Sequence, residues 1–184
     1  MDDYGNLTDV SEFSNGRRIR LISRLNPDVA LGLHAFWPPR PAGGDGNFID
    51  TLMRAVAPPL NASVSVHRLS LGDNDTAVLR ADAVDGGFTL SWADQPGCFL
   101  YWTEGQFGLF DDRAQTGLVA SVMGAQSYDK TFTVDWIDGC WFALNNHDHS
   151  RVADVRGGSS DERTQIVSFG WNGGDNQIWR AQAV

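Results

Sequence analysis

Residues able to do chemistry are plentiful in this chain, and their spacing decides what they are for. There are 23 acidic side chains, yet no pair is set apart by spacing for acid–base work. No Gly-x-Ser-x-Gly elbow, phosphate loop, or cysteine with an obvious histidine partner occurs, so neither catalysis nor a cofactor is expected. His147-Asp148-His149 offers possible metal ligands, but no third or fourth ligand accompanies them. An exposed loop between strands is the expectation, with no metal. Cys98 and Cys140 read as buried free thiols acting as small hydrophobes, with a disulfide between them as the lesser alternative. The most ordered pattern is Arg151 to Trp179, RVADVRGGSSDERTQIVSFGWNGGDNQIW. A short apolar run carries Asp154; a Gly/Ser/Asp turn follows, then a second apolar run, the turn Asn172-Gly173-Gly174-Asp175, and Asn176-Gln177-Ile178-Trp179.

This stretch resembles the repeat of the ricin B-type lectins, the β-trefoil family marked by Gln-x-Trp, and Gln177-Ile178-Trp179 is that triplet here. The resemblance implies a carbohydrate site. It places Asp154 as the acceptor of sugar hydroxyls, Phe169 as the aromatic that stacks on the ring, and Asn176 as the late amide. Gln177 belongs to the same motif, with a role that is largely structural. The physical logic agrees. A carboxylate is an acceptor-only group that takes two hydroxyl donors, and an amide both donates and accepts. An aromatic face covers the apolar C–H face of a hexose. Two departures stand out. Val167 occupies a strand position that is often Gln in the family, which removes one polar contact. Val152 and Trp171 fall where many members have a disulfide, so an apolar contact between them is the expected replacement. An equally physical alternative is that Asp154, Phe169 and Asn176 serve only the fold, as turn, core and loop residues.

Elements that could position such residues follow from repetition along the chain. Phe88-Thr89-Leu90-Ser91-Trp92 matches Phe132-Thr133-Val134-Asp135-Trp136. Gly97-Cys98-Phe99 and Gly139-Cys140-Trp141 come after them in register. Thr76-Ala77-Val78-Leu79, Thr116-Gly117-Leu118-Val119 and Thr164-Gln165-Ile166-Val167 align as preceding strands, with Val64 to Leu71 as the alternative third strand of the first unit. The expectation is all-β: one β-trefoil domain over 17–184, in three four-strand units of about 17–97, 98–139 and 140–184, after a loose lead-in at 1–16. The first unit carries an insertion at about 36–75, with a helix within 47–57 capped by Asn47 and stopped by Pro58-Pro59. The tryptophans of the matched strands read as core. The sugar constellation is absent from the other units: its positions fall on Leu109, Ser121 and Lys130-Thr131 in the second, and near Leu31, Ala81 and Gly86-Gly87 in the first.

A formal charge of −9 argues against nucleic acid and against adhesion to anionic lipid, while leaving a neutral polar ligand acceptable. No apolar run reaches membrane-spanning length. The start MDDYGNLTDV lacks the basic and apolar regions of a secretory signal. That fits a cytoplasmic protein or one released without a signal peptide, with an extracellular location left to a processed form. The expected function is a non-catalytic lectin for a carbohydrate or glycoconjugate, of galactose or N-acetylgalactosamine type by family resemblance, with a homo-oligomer as a route to avidity. The competing readings are a protein-binding trefoil, such as a protease inhibitor using the 36–75 insertion, and the recognition module of a toxin or enzyme assembly.

Overall fold

The computed structural model describes residues 1–35, 62–72, 74–93, 99–102, 116–121 and 130–184. These residues contain twelve strands: β1 (Arg17–Ser23), β2 (Val29–Ala35), β3 (Ala62–Arg68), β4 (Leu79–Val84), β5 (Gly87–Trp92), β6 (Phe99–Trp102), β7 (Thr116–Ser121), β8 (Thr131–Asp138), β9 (Trp141–Asn146), β10 (Val152–Val155), β11 (Ile166–Phe169) and β12 (Ile178–Ala183). Alternation drives them. In β1, Ile19 and Leu21 are buried between the less buried Arg18 and Arg20, the period-2 pattern of a strand with one face on a core.

Six strands close a barrel, each antiparallel to the next: β1, β4, β5, β8, β9, β12 and back to β1. Closure removes the free edges that an open sheet would expose. The other six strands form three hairpins, β2–β3, β6–β7 and β10–β11. These join one another through β3–β7, β7–β11 and a Ser65–Gln165 bridge, and so cap one end of the barrel about a pseudo-three-fold axis. The result is a β-trefoil. Phe13, Phe88, Phe132, Phe142 and Trp179 are fully buried in its core, each large apolar side chain contributing about 1.5–3 kcal/mol by burial. Where β5 meets β8 the backbones approach closely, and a Cβ on Gly87 would lie 2.2 Å from the Phe132 carbonyl oxygen.

Strand pairing corrects the internal register read from sequence. Phe88 is not the equivalent of Phe132; it lies in β5 and pairs directly across from Phe132 in β8. The fourth strands are β4, β8 and β12, and the quartets break at Asp85-Gly86 and Gly139-Cys140. The misreading arose because first and fourth strands are barrel neighbours with the same apolar alternation. Residues 74–77 form a 3-10 turn instead of a strand. The third strand is β3, paired residue for residue with β2 from Val29–Arg68 to Ala35–Ala62. Residues 62–72, 74 and 75 therefore belong to the trefoil scaffold, which leaves 36–61 of the expected insertion. That stretch and its expected helix within 47–57 lie outside the described residues, as do Cys98 and Leu109.

The lead-in at 1–16 is not loose. Leu7 and Phe13 are fully buried, and Asn6 bridges to Gln182 beside β12. The Leu7 amide donates to the Ala181 carbonyl at 2.8 Å. Asp9 and Glu12 form a capping box around a 3-10 turn at Val10–Glu12, and the Met1 amino group pairs with Glu12. Phe13 then stacks on Phe88 at 4.4 Å and meets Phe142 edge-on at 5.8 Å. Polar composition concealed a segment anchored by two apolar side chains. Trp136 also departs from expectation: it is partly exposed at the far end of β8 and packs edge-on against Phe142 at 5.2 Å.

Candidate functional site

Strands β10 and β11 pair with Asp154 opposite Val167 and Val152 opposite Phe169. Paired residues share a face. Ala153, Val155 and Ile166 point into the core, so Asp154, Val167, Val152 and Phe169 make up the opposite face of the hairpin. Asp154 and Phe169 are diagonal neighbours there. The chain leaves β10 through a tight 3-10 turn at Arg156–Gly158, where Gly157 and Gly158 adopt φ of 63° and 65°, a region glycine enters without a Cβ clash. The loop that follows is tied to β3: the Val66 amide donates to Thr164 O at 2.7 Å, and the Arg68 amide donates to Glu162 at 2.6 Å.

Gln177 is the hub of the site. It is fully buried. Its Nε2 donates to Asp154 Oδ2 at 2.7 Å and to the Gly170 carbonyl at 2.9 Å. Its Oε1 accepts from the Asn172 amide at 2.7 Å. Gln177 thus positions the acid and pins the loop after β11, offering no surface of its own. Two residues on, Trp179 is fully buried and its indole N–H donates to the Ala153 carbonyl at 3.0 Å. The Gln-x-Trp triplet is in physical terms a double tie between the last strand and β10.

Asp154 is 5% exposed. Burial pushes its carboxyl above the ordinary carboxylate value, and hydrogen bonds from Gln177 and Asn176 oppose that shift. Asn176 also donates to the Val155 carbonyl at 3.2 Å, which fixes its amide beside the acid. The turn before it is tightly fitted, since a Cβ on Gly174 would meet Asn176 Oδ1 at 2.4 Å. Phe169 is 42% exposed, which sets it apart from a core aromatic. The structure therefore brings Asp154, Asn176 and Gln177 into direct contact and places Phe169 on the same hairpin face with its ring in solvent. Such an arrangement is chemically a fixed acceptor with an amide beside it and an apolar plate close by.

Val152 is buried while Trp171 is 50% exposed, so Trp171 is not the covered apolar partner that the sequence reading gave it. The other units hold no comparable set among the described residues: Leu31 and Ala81 are core, and Thr131 is buried. Residues 147–150 form an exposed loop. There His149 Nδ1 lies 3.4 Å from Asp135 Oδ2 and Nε2 lies 3.3 Å from Thr133 Oγ1. Among the described residues no group of three or more His, Cys, Asp or Glu is placed to hold a metal. Cys140 is a free thiol, half buried, with its pKa pushed up by burial.

No protein-family model matches the sequence, and no curated protein matches it. Solved structures match over nearly the whole chain. A Macrolepiota procera ricin B-like lectin in complex with lactose is similar at 15% identity and a TM-score of 0.60, over 92% of this chain and 96% of that one. The C-half of an earthworm R-type lectin in complex with GalNAc is similar at 10% identity and a TM-score of 0.56, over 91% and 99%. A mosquitocidal holotoxin is similar at 10% identity and a TM-score of 0.69, over 92% of this chain but 17% of that one. At these identities the likeness is one of fold: this chain folds as the β-trefoil of the ricin B-like lectins.

Proposed function

We propose that this protein binds carbohydrate without catalysis, at one shallow site in the third unit. Asp154 accepts hydroxyl hydrogen bonds, Phe169 stacks on the ring and Asn176 completes the polar grip, with Gln177 as the residue that positions Asp154. The observation that carries the reading is the buried Asp154 carboxylate, held at 2.7 Å by Gln177 on the same hairpin face as a solvent-exposed Phe169. A fold gains little from burying an acid whose charged form is disfavoured there; a hydroxyl-rich ligand gains a preorganised acceptor. Galactose and N-acetylgalactosamine are the sugars to try first, because lectins of this fold bind lactose and GalNAc.

The test is a chemical-shift titration of wild type and Asp154→Ala with galactose, N-acetylgalactosamine and lactose. Wild-type shifts should centre on β10, β11 and residues 175–177. One charge-assisted hydrogen bond is worth about 1.5–3 kcal/mol, so the variant should bind about ten- to a hundred-fold more weakly. A variant that keeps its fold and binds equally well would move the site elsewhere. A shallow single site starts weak, so clustering of several chains would supply avidity on a glycoconjugate. A second reading, a recognition module inside a larger toxin, is favoured by the holotoxin match, where the same fold forms a small part of the chain. It uses the same site and changes only what the site delivers.

A further inference from the structure

Trp171 exposes half its surface. It follows Phe169 by two residues, and Phe169 is itself exposed. Along the β10–β11 hairpin, Asp154 sits opposite Val167, and Val152 opposite Phe169. Phe169 is the last residue of β11, and Trp171 lies just past the strand's end. Two residues of chain span at most about 7 Å, the scale of one sugar ring. Acid, first aromatic and second aromatic are thus neighbours within one hairpin and the segment that leaves it.

The backbone on both sides of Trp171 is fixed by one buried side chain. The Gly170 carbonyl accepts from Gln177 Nε2 at 2.9 Å, and the Asn172 amide donates to Gln177 Oε1 at 2.7 Å. The Gly174 amide in turn donates to Asn172 Oδ1 at 2.9 Å. An exposed aromatic on a backbone held at both flanks loses less freedom when a ligand settles on it. The same amide that aims Asp154 also sets the peptides around Trp171, which couples the two.

We propose that Trp171 is a second aromatic platform, which carries the next ring of a di- or oligosaccharide whose first ring is held by Asp154 and Phe169. The ligand is then an extended, uncharged glycan in place of a single terminal sugar. This inference rests on the carbohydrate reading of the Asp154 site and adds to it a preference for length.

The experiment titrates wild type, Trp171→Ala, Trp171→Tyr and Asp154→Ala with methyl β-galactoside, lactose and N-acetyllactosamine, and follows the indole N–H resonances. Wild type should bind the disaccharides about three- to ten-fold more tightly than the monosaccharide, the range set by one aromatic stacking contact. Trp171→Ala should remove that preference and leave methyl β-galactoside binding within about two-fold. Trp171→Tyr should restore most of it. The Trp171 indole signal, identified by its loss in the Tyr variant, should move with disaccharide and stay still with monosaccharide. If Trp171→Ala keeps the wild-type preference, or if wild type shows none while Asp154→Ala still weakens binding, the second platform is wrong and the Asp154 site stands. If wild type binds none of the sugars, both readings fall together.

Discussion

Replacing Asp154 by Asn separates the folding role of this residue from its binding role. The two side chains have nearly the same shape, so packing is preserved. Gln177 Nε2 donates to Asp154 Oδ2 at 2.7 Å, and an Asn at 154 must meet that donor with its carbonyl oxygen, because the opposite rotamer would set two amide N–H donors against each other. The Asn NH2 then takes the place of the carboxylate oxygen that faces the Asn176 amide and the sugar position. For stability, two changes oppose each other. The hydrogen bond from Gln177 loses charge assistance, about 1 kcal/mol, while the desolvation that raises the Asp154 pKa disappears. The net change should stay within about 1 kcal/mol, a melting shift of about 2–4 °C for a chain of this size. Binding should fall about ten- to a hundred-fold, because a hydroxyl donor now meets another donor. Calorimetric titration with lactose and thermal melts of both proteins make the comparison. Equal binding, or a melting temperature lower by 10 °C or more, would refute the reasoning.

The same pair of proteins carries a pH signature. A carboxyl whose folded pKa lies above its unfolded value binds more protons in the native state over that window, so stability falls as pH rises through it. Wild type should therefore lose stability relative to Asp154→Asn between the ordinary carboxylate range and the raised Asp154 pKa, and run parallel above it. Sugar binding should show the opposite trend. It needs the ionised acceptor, and so should weaken as pH falls through the raised value. Melts and titrations across the acid range check both directions. A stability difference that grows in favour of wild type as pH rises would contradict the assignment of burial as the dominant cause.

The remaining predictions concern the supports of the site and of the barrel. Gln177→Ala leaves a buried carboxylate oxygen, a carbonyl and an amide without their partner. It should lose about 3–9 kcal/mol in urea unfolding, at about 1–3 kcal/mol for each of the three groups left unsatisfied; a loss under about 1 kcal/mol would show that water replaces all three. Phe13→Ala should destabilise by about 3–5 kcal/mol in the same assay, as expected for a fully buried aromatic stacked on Phe88. A change within about 0.5 kcal/mol would return residues 1–16 to the status of a loose tail.

What the sequence made legible was set by how local each signal is. The third unit could be read because its constellation is written within one continuous stretch: Asp154, Phe169 and Asn176-Gln177 lie on one hairpin and the turn before the next strand, so linear order maps onto spatial order. The trefoil was legible for a related reason, since four-strand units repeat. Register was harder to read. The first and fourth strands of a trefoil unit are neighbours in the same barrel and bury the same kind of face, so Phe88 and Phe132 look alike in sequence because they touch, and likeness was mistaken for equivalence. Strand β3 was half seen because its alternation is clear, but only its pairing with β2 shows that it belongs to the trefoil scaffold. The lead-in was misread because two apolar anchors among polar residues leave no period to detect. Trp171 marks the limit of motif reading. Alignment placed it where the family often has a cysteine, and that predicted a covered contact. The structure leaves the ring in solvent, on a backbone fixed at both flanks by Gln177. Exposure is a property of the assembled surface, so no spacing in the chain could have announced that the residue at this position would stand half in solvent.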